Sequence, residues 1–149
     1  MQDIKIEAIG EEHFTDLVAL FLEFATFQKA ADKMKNSEEQ MFREKEHIRG
    51  FVAKNENDTI VGYVTCFYAY YTWVGKSLYM DDLYITPQYR GKGLGARLLE
   101  HVISFAKEQR CNRLRWQVTD WNTPAIEFYK TMGAEICSNE NNCDIIFRE

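Results

Sequence analysis

Two prolines in 149 residues leave the chain few rigid breaks, and eight glycines leave few places for left-handed backbone. Three of those glycines nevertheless crowd into five consecutive positions, as Gly91, Gly93 and Gly95. The four cysteines (Cys66, Cys111, Cys137 and Cys143) show neither C-x-x-C spacing nor a neighbouring histidine. That argues against a zinc site or a disulfide framework, so reduced thiols and no metal are expected. No apolar run approaches the length of about 20 residues that a membrane-spanning helix needs. Met1-Gln2-Asp3 does not open a basic and then apolar leader, so a cytoplasmic protein with no membrane partner is expected. Basic charge is also short. The net charge of −5 argues against a nucleic-acid-binding face and is compatible with a small cationic substrate.

What is present suits one ordinary domain spanning residues 1–149, with 46% hydrophobic and 28% charged residues and no linker or repeat. Ile4, Ile6 and Ala8 alternate with Lys5 and Glu7, which predicts a strand over Asp3 to Ile9. Leu17, Leu20, Phe21, Phe24 and Phe27 recur at helical spacing, which predicts a helix from Glu12 to Gln28. Ser37-Glu38-Glu39-Gln40 has the capping-box pattern of a second, short helix. Strands follow at Phe51 to Ala53, Thr59 to Tyr71 and Ser77 to Ile85, with turns at Asn55-Glu56-Asn57-Asp58 and Val74-Gly75-Lys76. A helix running to Gln109, a strand over Leu114 to Val118 and a helix over Thr123 to Met132 with Gly133 as its cap come next. Ala134 to Cys137 and Ile145 to Phe147 read as two closing strands. The order β-α-α-β-β-β-α-β-α-β-β implies an α/β fold, a mixed sheet flanked by helices.

The segment Arg90-Gly91-Lys92-Gly93-Leu94-Gly95-Ala96 lies between a strand and a long helix. Unsatisfied N–H groups at a helix start, with the helix dipole, favour a phosphate; Arg90 and Lys92 add positive charge. Gly91-x-Gly93-x-x-Ala96 also satisfies a dinucleotide fingerprint, but Thr86 to Arg90 separate it from its strand and only about fifty residues follow. A plain capping loop would not require three glycines.

Arg90-x-x-Gly93-x-Gly95 resembles the R/Q-x-x-G-x-G/A signature of the GNAT acetyltransferases. Trp73-Val74-Gly75-Lys76, Leu78 to Ile85 and Asp120 to Lys130 are similar to the diamine (spermidine/spermine) branch of that family. The resemblance implies a GNAT fold with a mostly antiparallel sheet and a strand that splays before the pyrophosphate loop. It implies acetyl-CoA as co-substrate, transfer of acetyl directly to a primary amine of a small molecule, and a homodimer. A non-catalytic acetyl-CoA sensor and a peptide or protein acetyltransferase are the alternatives.

By the same resemblance, Tyr129 is the proton donor to the departing thiolate, and Asp81 binds the amine and helps to remove its proton. The acetyl-CoA contacts fall on Leu83, Tyr84 and Ile85 through their backbone, on Arg90 to Ala96, and on Asn122 and Tyr129. Asn122 reads equally well as a helix cap. Asp81 and Asp82 fall on one strand, so their side chains are expected on opposite faces and only one can enter a given pocket. The amine site would include Phe27, Gln28, Asp82, Arg115 and Trp121. Gln28 stands where the polyamine enzymes carry an acid, and Arg115 where they carry a histidine. Both departures argue against spermidine or spermine and leave room for a shorter diamine, a lysine-like amino acid, whose carboxylate Arg115 could pair, or another small amine.

Overall fold

The computed structural model of the chain describes residues 3–137 and 142–147. Residues up to Gln117 form one compact unit and those from Val118 onward a second, smaller one.

The larger unit is a five-stranded sheet in the order β1-β2-β3-β4-β5. Strands β1 (Lys5–Ala8), β2 (Arg49–Lys54), β3 (Ile60–Tyr71) and β4 (Gly75–Ile85) pair antiparallel as neighbours in sequence. Strand β5 (Arg113–Arg115) lies parallel to β4, reached through the helix α3 (Leu94–Glu108). A parallel return needs such a crossover element. Helices α1 (Phe14–Phe27) and α2 (Glu38–Arg43) fill the β1–β2 connection. Ser37 caps α2 as its spacing predicts, its hydroxyl accepting the Gln40 N–H at 3.1 Å.

The alternation of β3 assigns the two faces of the sheet. Tyr63 meets Phe21 of α1 edge-on at 5.1 Å, whereas Tyr68, an odd number of residues away, lies against Phe105 of α3 at 6.2 Å. On the α1 face, Phe14, Leu17, Leu20, Met41, Val52, Tyr63 and Tyr84 form one buried cluster. In α3 the fully buried Leu98, Leu99 and Val102 lie at helical spacing and form one stripe.

The second unit holds α4 (Thr123–Thr131), and Gly133 follows it at φ +95. The positive φ there explains the glycine that closes this helix. Neither Ala134 to Cys137 nor Ile145 to Phe147 is a strand, which corrects the two closing strands. Each apolar stretch is only three or four residues long, and β5 presents an edge of only three residues, too little to specify a register. The strand expected over Leu114 to Val118 is likewise shorter and ends at Arg115.

Gly50 of β2 sits at φ +149, where a Cβ would lie 1.9 Å from the Val64 carbonyl oxygen. Both groups are sheet backbone, so neither can yield cheaply. Gly50→Ala should therefore cost about 1–3 kcal/mol or more, read as a lower denaturation midpoint at an unchanged m-value.

Candidate active site

Strand β4 is paired along its whole length on one side only. Against β3 it pairs from Gly75 to Ile85 with one register shift, at Asp81, but against β5 only Ser77, Leu78 and Tyr79 have partners. From Met80 to Ile85 the edge facing β5 carries no strand partner among the described residues, which is compatible with the expected splay. The Thr86 N–H donates to the Val61 carbonyl at 3.0 Å. By antiparallel alternation the backbone groups of Tyr84 then turn toward β3, and those of Leu83 and Ile85 turn toward the open edge. The Ile85 carbonyl there accepts the Arg90 Nε–H at 2.8 Å. Among Leu83, Tyr84 and Ile85, the first and last therefore present groups that an extended ligand arm could use.

At the end of this edge the chain enters the glycine loop. Gly91 and Gly93 take φ values of +76 and +83, and nothing lies within 4 Å of where their Cβ atoms would be. Their need is conformational, and the space before them is open. Gly93 is the N-cap of α3, and Leu94, Gly95 and Ala96 form its first turn, with N–H groups that lie beyond the reach of intrahelical acceptors. A fifteen-residue helix aimed at an open cradle of backbone donors, with Lys92 alongside, fits a diphosphate. Arg90 does not reach into that cradle. Its guanidinium lies over the rings of Phe27 at 4.9 Å and Tyr84 at 5.3 Å.

The two aspartates overturn the expectation that only one could face a pocket. Thr65 pairs with Asp82 and Cys66 with Met80, so Asp81 is an extra residue, a β-bulge opposite the Thr65–Cys66 step. Tyr63, Thr65 and Phe67 share one face of the unbroken β3. Phe67 stacks on Tyr79 at 5.0 Å, and the Tyr63 hydroxyl donates to the Asp82 carboxylate at 3.3 Å. Tyr79 below the bulge and Asp82 and Tyr84 above it thus lie on the same face, and Asp81 falls between them. Both carboxylates front the same side of the sheet.

Their environments differ. Asp81 is exposed, though the surrounding sheet removes part of its hydration and raises its pKa. Asp82 is half-buried. Burial and then the neighbouring charge of Asp81 push it up to about 6, against the lowering effect of the Tyr63 hydroxyl. Tyr63 itself is fully buried, and burial with these two acids raises its own pKa.

Of the other expected residues, Phe27 is the half-exposed last residue of α1, under Arg90, and Gln28 caps that helix through its N–H to the Phe24 carbonyl at 3.0 Å. Arg115 ends β5 with its guanidinium 5.0 Å from the Tyr71 ring, on the same face as Tyr79. The second unit carries Trp121, Asn122 and Tyr129. Trp121 is exposed, and Asn122 caps α4 by accepting the Ala125 N–H at 3.3 Å. Tyr129 lies in α4 with its ring 5.4 Å from Phe128.

A free strand edge leading into an open, glycine-lined helix start is the arrangement expected for an acyl-CoA site. A model of the acetyltransferase (GNAT) family matches residues 14–134. The chain belongs to the GNAT acetyltransferases. It is 32% identical over 146 residues to the thialysine N-epsilon-acetyltransferase of Mus musculus, covering 91% of this chain and 86% of that protein. It is 36% identical over 80 residues to the human spermidine/spermine N(1)-acetyltransferase-like protein 1, covering 54% of this chain and 12% of that protein. Among solved structures, an aminoglycoside acetyltransferase from a soil metagenome, in complex with sisomicin, superposes with a TM-score of 0.81. At 20% identity over 96% of this chain and 97% of that one, the last likeness concerns fold. The chain is thus a GNAT N-acetyltransferase, and acetyl-CoA is the co-substrate of that family.

Two residues of this GNAT site escaped the sequence reading. Tyr63 reads as an ordinary aromatic in a central strand, because only the bulge brings Asp82 to its hydroxyl. Glu23, one turn before the end of α1, accepts the Tyr84 hydroxyl at 2.6 Å and lines a groove with Thr26, Phe27 and Arg90. Burial, followed by the hydrogen bond and charge of Glu23, pushes Tyr84 up to about 12. A period of 3.6 puts Glu23 on the exposed side of α1, and nothing in its spacing signals the bond.

A carboxyl whose pKa is raised in the fold binds its proton more tightly there than when unfolded, so stability falls as pH rises from about 4 toward 6. Above that window Asp82 carries its charge at a cost. Asp82→Asn should therefore raise unfolding free energy at pH 8 by about 1–2 kcal/mol, allowing for solvent screening, and by little at pH 4. Denaturant titrations at the two pH values measure the difference.

Proposed function

We propose that this GNAT enzyme acetylates the primary amine of a small cationic molecule, of the lysine-like amino-acid or short diamine class. The observation that carries the reading is the pair of carboxylates at the β4 bulge, fronting one side of the sheet beside the free edge. An ammonium group approaching Asp81 and Asp82 gains charge-assisted hydrogen bonds, and one of the acids can take its proton. The free amine then attacks the thioester carbonyl, and the thiolate leaves with a proton from Tyr129.

The acetyl-CoA arm would lie along Leu83, Tyr84 and Ile85, with its diphosphate on Gly91 to Ala96; one outward N–H of β4 would polarise the thioester carbonyl. Gly91, Gly93 and the α3 start supply the donors, while Arg90, turned back onto Phe27 and Tyr84, would close the amine side. Asn122 would support the arm in addition to capping α4. Arg115 beside Tyr79 disfavours a polycation and favours an acceptor that carries a carboxylate. That agrees with the mouse relative, named for thialysine, an amino acid. Phe27, Gln28 and Trp121 would complete the amine site. The exposed Tyr70 and Trp73, 80% and 98% accessible at the tip of the β3–β4 hairpin, support a homodimer. Transfer by direct attack requires no metal, and the reading keeps the cytoplasmic setting expected from the sequence.

Release of CoA from acetyl-CoA across lysine, thialysine, putrescine, spermidine and short peptides tests the acceptor class. The expected order puts lysine-like amino acids first and spermidine well below them. A peptide-only response, or acetyl-CoA binding without any turnover, would overturn it. Tyr129→Phe should lower kcat about 10²–10⁴-fold with the Kd for acetyl-CoA by calorimetry unchanged. Weakened acetyl-CoA binding with preserved turnover would remove Tyr129 from the proton-donor role.

A further inference from the structure

The bulge brings together two acids that differ in what surrounds them, and one buried hydroxyl touches only the second. Asp81 is the unpaired residue of the bulge and is open to solvent. Asp82 is paired to Thr65 and half-buried, its N–H lying 3.3 Å from Thr65 Oγ1 and its carboxylate accepting from Tyr63 at 3.3 Å. Tyr63 cannot turn away from it. Its ring is fully buried between Phe21 of α1 at 5.1 Å and Tyr84 at 6.1 Å. A phenol locked by packing onto one carboxylate oxygen fixes that group's rotamer and leaves its other oxygen to a ligand.

We propose that Asp82, oriented by the buried Tyr63 hydroxyl, is the carboxylate that takes the proton of the incoming ammonium, while the exposed Asp81 attracts and seats its charge. The inference rests on the amine-acetylating reading above and divides a task which that reading leaves shared. In the step, an N–H bond of the ammonium breaks and an O–H bond forms on the Asp82 carboxylate, giving a neutral amine and a neutral acid. The amine nitrogen then bonds to the thioester carbonyl carbon, the C–S bond breaks, and the sulfur leaves with the electron pair; the thiolate takes a proton from Tyr129, and the second N–H proton lost as the amide forms restores that hydroxyl. Asp82 is ionised at neutral pH, yet burial and the charge of Asp81 bring it closer to the amine's range than an ordinary carboxylate. Tyr63 is a positioning residue in this scheme, because it touches neither the amine nor the thioester.

The charged and titratable groups around Asp82 act with known signs. From β4, the charge of Asp81 raises its pKa; from β3, the hydrogen bond of Tyr63 lowers it. Tyr84 is tied to Glu23 of α1 and flanked by Arg90. Arg115 of β5 acts on Tyr79. Removing the Asp81 charge and removing the Tyr63 hydroxyl must therefore move Asp82 in opposite directions.

The test is the acidic limb of kcat/KM against pH for the best amine of the panel, with a ¹³C NMR titration of the Asp82 carboxyl in the protein without substrate. Tyr63→Phe keeps the core volume and should move both the limb and the NMR midpoint up by about 0.5–1 unit. Asp81→Asn should move both down by a similar amount and raise KM for the amine. Asp82→Asn should abolish the limb and lower kcat about 100-fold or more, within the range for a lost general base, with acetyl-CoA affinity retained. A purely structural Tyr63 would lower stability without moving the limb, and that result would overturn the proposal. So would turnover that survives Asp82→Asn with its limb intact. Wild-type protein that acetylates no amine would overturn the acceptor reading itself. Brisk turnover with an Asp82 carboxyl titrating near 4 would overturn this inference alone.

Discussion

Everything at the site depends on β4 being held on one side and released on the other. The β3 partnership runs its whole length, so the strand cannot sag or slip. The β5 partnership ends at Tyr79 and Arg115. Beyond that point the N–H and C=O of Leu83 and the N–H of Ile85 face an edge with no strand partner among the described residues, while the Ile85 carbonyl takes the Arg90 Nε–H. An exposed edge of this kind is a liability in most sheets, since it invites another strand. Here it leads directly into the glycine loop and the start of α3, so a single extended ligand could use strand edge, loop and helix start in succession.

The bulge at Asp81 adds a second departure from regular pairing a few residues earlier. One extra residue moves Asp82 and Tyr84 onto the face that Tyr79 already occupies, and two acids front the same space. Without it the sheet would be better paired and the acids would be separated. Such an arrangement persists only because the strand around it is over-determined. Tyr63, Tyr84, Phe21 and Phe24 pack on the α1 face, where Phe24 stacks on Tyr84 at 5.0 Å. The fully buried Leu78 and Met80 anchor the strand just before the bulge.

Much of this was legible in the chain. The helical spacing of Leu98, Leu99 and Val102, the alternation of β1 and the clustered glycines each have a local cause, and local causes survive in a sequence. The splayed edge came from family resemblance, and the pairing, which ends at Tyr79, is compatible with it. What could not be read was anything that depends on register. A bulge leaves no mark in residue type, so Asp81 and Asp82 read as a normal alternation. Tyr63 and Glu23 gain meaning only from partners 19 and 61 residues away. The closing strands failed for the opposite reason: Ile145, Ile146 and Phe147 look like a strand, but composition over three residues does not supply a partner.

The chemistry also accounts for why the acids stand where they are costly. A carboxylate in ordinary water is a poor acceptor for an ammonium proton, because its pKa lies about six units below that of the amine. Withdrawing solvent narrows the gap, and so does a second negative charge alongside; both operate on Asp82. The same two effects weaken the fold when Asp82 is ionised, so the raised pKa and the stability cost have one origin. An additional positive charge against Asp82 would remove that cost and with it the basicity. Arg90 lies instead on Tyr84 and Phe27, Arg115 lies on Tyr71, and the neutral hydroxyl of Tyr63 is the side-chain donor that meets Asp82. A neutral donor orients the carboxylate while lowering its pKa far less than a guanidinium would.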